Sequence, residues 1–144
     1  MTAERRADSA VFVDTGAYAA LVIAVDSNHN RANETLTALE QRRTILFTTN
    51  FVVAETYALI LARAGRSVAI DLLDRLERSD DLIVRVTEGD EQRALEIVRR
   101  YQDKTFSLVD ATSFAVMDRL GITLAFTFDR HFAQYGFRVV GSGE

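Results

Sequence analysis

The sequence predicts one α/β domain in which a parallel sheet is covered by helices on both faces. Three observations point there. Short apolar runs ending on polar residues alternate with longer helical stretches, in the order strand, helix pair, strand, helix pair. A chain of 144 residues has the length of a single domain and should bury about 68–70% of its extended surface. A composition 48% hydrophobic and 26% charged excludes disorder as the main state.

Residues 1–9 read as a flexible polar tail, followed by a buried strand at 10–13 (AVFV) that stops at Asp14. The mostly apolar stretch 15–25 predicts a first helix. The segment 28–43 predicts an amphipathic one, with Ala32, Leu36 and Leu39 on one face. Residues 45–47 (ILF) form a second strand, and Thr48, Thr49 and Asn50 offer caps for a helix running to Ala64, where Gly65 suits a C′ position. Ser67 opens the next helix, with apolar residues at 68, 69, 72, 73 and 76. A β-branched run at 82–86 (LIVRV) predicts a third strand. Thr87 leads into a helix ending near Tyr101, and Ser107 opens another that ends at Gly121. The run 123–128 (TLAFTF) is a fourth strand, 129–135 a short helix and 137–140 an edge strand. With no proline in the chain, helix boundaries rest on caps and glycines.

The absence of cysteine removes disulfides, thiolate metal sites and a cysteine nucleophile. Two histidines, His29 and His131, leave little room for a His-rich zinc site or a histidine triad. No apolar run approaches the ~18 residues of a membrane span and the N-terminus lacks a signal-peptide pattern, so a cytoplasmic domain is expected. The net charge of −4 argues weakly against a nucleic-acid binder, unless some carboxylates hold cations.

Four carboxylates stand in apolar company. Asp14 and Asp129 each end a strand, Glu55 is the only charge within 51–62 (FVVAETYALILA), and Asp110 the only one within 106–117 (FSLVDATSFAVM). Burying an ionised carboxylate costs several kcal/mol unless a cation or strong donors compensate, on the order of the penalty for any buried ion. Each has a structural reading too. Asp14 and Asp129 equally suit N-caps, and Ser107-x-x-Asp110 has the spacing of a capping box. Glu55 lies beyond the first turn of an apolar helix, where the dipole no longer rewards an acid, which leaves a salt bridge or a ligand role.

In a doubly wound sheet, strands end and the next helices begin along one edge, and ligands bind there. If the helix of Asp110 also begins at that edge, all four acids converge. Four like charges in one crevice repel, and a bound hard cation relieves them. With oxygen ligands and no thiolate, Mg²⁺ or Mn²⁺ is the expected ion, and such ions work on phosphate esters. Thr15 and Thr127 flank the acids and suit a supporting shell or ordinary strand ends, and Arg130 and His131 suit the phosphate backbone at its rim or a solvated surface, equally.

At these residues the chain resembles the PIN-domain ribonucleases, and within them the VapC-type toxins of bacterial toxin–antitoxin pairs. The match is carried by VFVDTGAYAAL around Asp14, TTNFVVAETYALI around Glu55, FSLVDATSFAVMDRLGI around Asp110 and AFTFDRHF around Asp129. The resemblance implies a PIN-like three-layer α/β/α sandwich with a central parallel sheet. It implies Mg²⁺- or Mn²⁺-dependent hydrolysis of RNA, with Asp14, Glu55, Asp110 and Asp129 as the metal-binding catalytic set. It also implies a cognate VapB-type antitoxin whose C-terminal segment covers the site, and a homodimer formed through helices; the apolar stretches 16–25 and 51–62 suit that interface or the core equally. A non-catalytic PIN-like module binding RNA or protein is the rival from another class. A haloacid-dehalogenase-type phosphatase also ends its first strand on Asp, but it needs a second Asp where this chain has Gly16, and a lysine near Asp129 where it has none.

Overall fold

A computed structural model describes residues 9–141, so the tail expected at 1–9 lies, except for Ser9, outside the described residues. Five strands form one wholly parallel sheet: β1 (Ala10–Val13), β2 (Ile45–Thr49), β3 (Leu82–Val84), β4 (Leu124–Phe126) and β5 (Arg138–Val140). Their spatial order is β3-β2-β1-β4-β5. Seven helices connect them among the described residues: α1 (Thr15–Val22), α2 (His29–Gln41), α3 (Asn50–Ala64), α4 (Arg66–Arg78), α5 (Glu88–Arg100), α6 (Leu108–Leu120) and α7 (His131–Tyr135).

The chain first winds from β1 outward to β3, then crosses back past β1 to β4 and β5. Right-handed crossovers place the helices of these two halves on opposite faces of the sheet. The packing agrees: α1 meets α2, α3 and α4, while α6 meets α5 and α7. Between β1 and β4 the winding reverses, and the crevice outside their carboxyl ends is where such folds bind ligands. The two strands are closely registered there, with Phe12 opposite Ala125 and Val13 opposite Phe126. The amide of Asp14 donates to the carbonyl of Phe126 at 3.1 Å.

Both faces of β1 are covered, which is why Val11, Phe12 and Val13 are buried without alternation. α1 is buried almost all round, through Ala17, Tyr18, Ala19, Ala20 and Leu21. It ends at Val22 rather than running to Val25. There the Asp26 carboxylate accepts the Asn28 amide at 2.8 Å and turns the chain, leaving Val25 92% exposed. α3 behaves differently from its uniform apolarity. Only Val52, Thr56 and Ile60 are buried, one stripe at four-residue spacing, whereas Ala54, Ala58 and Leu61 face solvent.

Gly65, at φ +89°, ends α3 and also begins α4, so α4 starts one residue before Ser67. β3 is shorter than the apolar run 82–86, since the Val86 amide leaves the ladder to donate to Asn50 Oδ1 at 2.8 Å. β4 likewise stops at Phe126, short of the run 123–128, with the Thr127 amide still donating to the Val140 carbonyl at 3.1 Å. No helix among the described residues is long and apolar enough to cross a membrane.

Candidate active site

Asp14 leaves β1 at the crevice and is only 5% exposed. It holds the N-cap position of α1 but makes no side-chain cap bond. Its Oδ2 instead accepts from the Thr127 hydroxyl across the crevice at 3.0 Å. Burial pushes its carboxyl from the usual 3.8 up to about 7, with the charges of Asp110 and Asp129 adding to the rise; the Thr15 amide and the Thr127 hydroxyl pull it partway back. A buried acid beside two others is the environment in which an added cation is most favourable.

Asp110 stands in the first turn of α6 and is 7% exposed. The capping box expected from Ser107-x-x-Asp110 forms: the Asp110 amide donates to Ser107 Oγ at 3.0 Å and the Ser107 amide to Asp110 Oδ2 at 3.1 Å. Capping does not exhaust the carboxylate. His131 Nδ1 also meets Oδ2, at 2.9 Å, and Oδ1 is left without a partner among the described residues.

Asp129 follows β4 in a tight turn in which its own amide donates to Thr127 Oγ1 at 3.0 Å. Its Oδ1 accepts the His131 amide at 2.9 Å from just outside the helix, whose N-cap is Arg130 and not Asp129 as expected, while Oδ2 lies 3.3 Å from His131 Nδ1. One donor atom from each of Asp110, Asp129 and His131 falls within 4.8 Å of the others.

Glu55, half-buried on α3, makes no salt bridge among the described residues. Its Oε1 accepts from the hydroxyl of Thr15 at 2.8 Å. Thr15 is the residue after Asp14, so one step along the chain separates the two acids' anchoring points. Thr56 Oγ1 lies 3.2 Å from Thr15 Oγ1 on the buried face of α3, its own proton donated to the Val52 carbonyl at 2.6 Å. The threonines expected to support the site therefore hold the acids themselves.

The structure brings Asp14, Asp110 and Asp129 within mutual electrostatic reach, and ties Glu55 to them through Thr15. Sequence reasoning placed His131 at the rim as a phosphate contact; it lies instead between two of the acids. Its adjacency to Asp129 was visible, but not that the turn would fold its ring back onto α6. His29 packs its Nδ1 2.7 Å from the carbonyl of Ala20 at the start of α2.

The donor set is oxygen-dominated, contains a buried carboxyl short of positive charge and leaves Asp110 Oδ1 free, so it fits a hard divalent cation.

A family model described as "PIN domain" matches residues 11–138. The 23S rRNA-specific endonuclease VapC20 of Mycobacterium tuberculosis is 35% identical over 127 residues, which cover 88% of this chain and 95% of that protein. The crystal structure of VapC20, described as a sarcin–ricin loop cleaving toxin, superposes with a TM-score of 0.82 at 34% identity over the same shares of the two chains. Ribonuclease VapC26 of the same organism is 26% identical over 134 residues, 92% of this chain and 96% of that protein. FitAcB from Neisseria gonorrhoeae, at 18% identity, shares the fold alone, with a TM-score of 0.66 over 90% of this chain and 96% of that one. The family model runs from β1 into β5, and a VapC relative aligns along nearly its whole length; the chain belongs to the PIN-domain family.

Proposed function

We infer that this chain is a ribonuclease toxin of the VapC type, an endonuclease that hydrolyses RNA at the crevice between β1 and β4. The observation that carries the reading is Asp14: a carboxyl buried at the sheet's switch point, pushed up to about 7, with Asp110 and Asp129 as the charges beside it. A fold does not gather three acids there for stability, since each addition makes the others harder to ionise.

The proposed metal ligands are Asp14, Glu55, Asp110 and Asp129, and the proposed ion is Mg²⁺ or Mn²⁺. When bound, the ion supplies a water of lowered pKa and neutralises charge on the departing oxygen. The chain's own residues do the positioning. Thr127 fixes the Asp14 carboxylate and the Asp129 turn together, Thr15 fixes Glu55, and Ser107 fixes Asp110. In-line hydrolysis at this site leaves a 5′ phosphate and a 3′ hydroxyl. Arg130, exposed beside the crevice, suits the RNA backbone.

A cognate antitoxin of the VapB type and a homodimer complete the proposed assembly, within the cytoplasm. Of the two apolar stretches suited to an interface, α1 is spent on the core, so α3 is the proposed dimer surface.

The relative's named substrate makes 23S rRNA the RNA to test. With Mg²⁺ or Mn²⁺ the purified chain should cut RNA at a discrete position, mapped by primer extension, and EDTA should stop it. Asp14→Asn should slow cleavage on the order of a hundredfold or more, the loss of several kcal/mol of charge stabilisation. Cleavage undiminished in Asp14→Asn refutes the site, and RNA binding without any cutting points to the non-catalytic module.

A further inference from the structure

We propose that His131 is a positioning residue that clamps Asp110 and Asp129 into the geometry in which they receive the divalent ion. The proposal rests on the nuclease reading and assigns this side chain a part in it.

The two acids come from different places in the chain, the first turn of α6 and the turn after β4. Nothing covalent sets their separation, and their charges drive them apart. The imidazole spans the gap. Nδ1 lies 2.9 Å from Asp110 Oδ2 and 3.3 Å from Asp129 Oδ2. A carboxylate oxygen accepts, so the tautomer that bonds both acids is the one with the proton on Nδ1. The backbone of the same residue grips Asp129 a second time, through the amide bond to Oδ1 at 2.9 Å.

The ring is itself held. Phe106 meets it edge-on, with centroids 5.5 Å apart and planes at 77°, and Thr105 Oγ1 lies 3.4 Å from Nε2. His131 begins α7, whose Phe132 is fully buried against Phe12 and Phe114, so the helix cannot swing away. The consequence falls on Asp110. Two donors, the Ser107 amide and Nδ1, converge on Oδ2, which leaves Oδ1 as the oxygen available to an ion. Partners behind a ligand that fix its orientation typically change metal affinity about 10–100-fold when removed.

The test compares wild type, His131→Ala and His131→Asn, using Mn²⁺ alone in calorimetry and electron spin-echo measurements, RNA cleavage kinetics, and thermal melting without metal. His131→Ala should weaken Mn²⁺ binding by about 10–100-fold and lower kcat at subsaturating metal. His131→Asn should recover most of the affinity, because its amide nitrogen sits near the place of Nδ1. Bound Mn²⁺ in the wild type should lack the strong nitrogen modulation of a directly coordinated imidazole.

Unchanged Mn²⁺ affinity in His131→Ala overturns the proposal. So does a defect confined to KM for RNA, which marks a phosphate contact, or strong imidazole modulation, which makes His131 a ligand. An Asn variant as defective as Ala overturns it too. A wild type that neither binds Mn²⁺ nor cuts RNA overturns the nuclease reading and the clamp with it, whereas a wild type that does both, matched by His131→Ala, overturns the clamp alone.

Discussion

Asp14 opposes the folding of the metal-free chain. Unfolded, its carboxyl titrates near 3.8, and folded near 7. Between those values the folded state keeps a proton that the unfolded state has released, so stability falls as pH rises through this window and is level above it. The shift corresponds to a loss on the order of 4 kcal/mol. Asp14→Asn removes it. In urea titrations with EDTA, the variant should match wild type near pH 4 and exceed it by a few kcal/mol at pH 8. Saturating Mn²⁺ should close that gap by stabilising wild type only. Parallel stability curves across the range would mean that the carboxyl is not strained by burial. The acids could be read from the sequence because each is the only charge in its apolar run. His131 could not, since a bond between residues 21 apart depends on how β4 exits the sheet. Asp110 had been open between a cap and a ligand role, but a carboxylate has two oxygens and the cap uses one.

α5 and α6 form an antiparallel pair closed by one ion pair. Asp90, in the first turn of α5, is 3% exposed and lies in a capping box with Thr87. Arg119, in the last turn of α6, reaches it with two bonds, Nε at 2.9 Å and a terminal nitrogen at 2.8 Å. The guanidinium bond is the main cause that holds the Asp90 carboxyl below its usual range. The clamp matters to the site because α6 carries Asp110 at its other end. Arg119→Ala leaves a buried acid without its partner. As the arginine side chain is 40% exposed, the cost should be on the order of 1–2 kcal/mol, below that of a fully buried pair. A lowered pKa contributes stability above the unfolded value of 3.8 that disappears as pH falls through the folded one. The melting-temperature deficit of Arg119→Ala should therefore be full at neutral pH and shrink as pH falls below 3.8; a deficit that does not shrink in acid would mark lost packing instead. Helix ends were legible where a cap or glycine marks them, as at Ser107 and Gly121. Strand ends were not: β3 stops short of its apolar run because the Val86 amide finds a partner far along the chain, in the Asn50 side chain.

Across the whole molecule, the alternation of strands and helices announced a parallel sheet, but strand order and the reversal beside β1 depend on long-range pairing that no local pattern encodes. Apolarity has the same limit. α1 and α3 both read as apolar stretches, yet α1 is sealed in the core and α3 keeps a solvent-facing stripe of Ala54, Ala58 and Leu61, with Leu61 44% exposed. Their spacing of four and three residues makes this a continuous ridge, and its small residues allow a second helix to approach closely. A hydrophobic ridge that the core does not use is the feature a homodimer through α3 requires. Ala58→Arg places a long charge in its middle while leaving the buried stripe of Val52, Thr56 and Ile60 untouched. Light scattering coupled to size exclusion should find wild type at twice the chain mass of 16.1 kDa and the variant at the single mass, with far-ultraviolet circular dichroism unchanged. A dimer that survives Ala58→Arg has its interface elsewhere, and a wild type that stays monomeric at micromolar concentration leaves α3 as a surface for another partner.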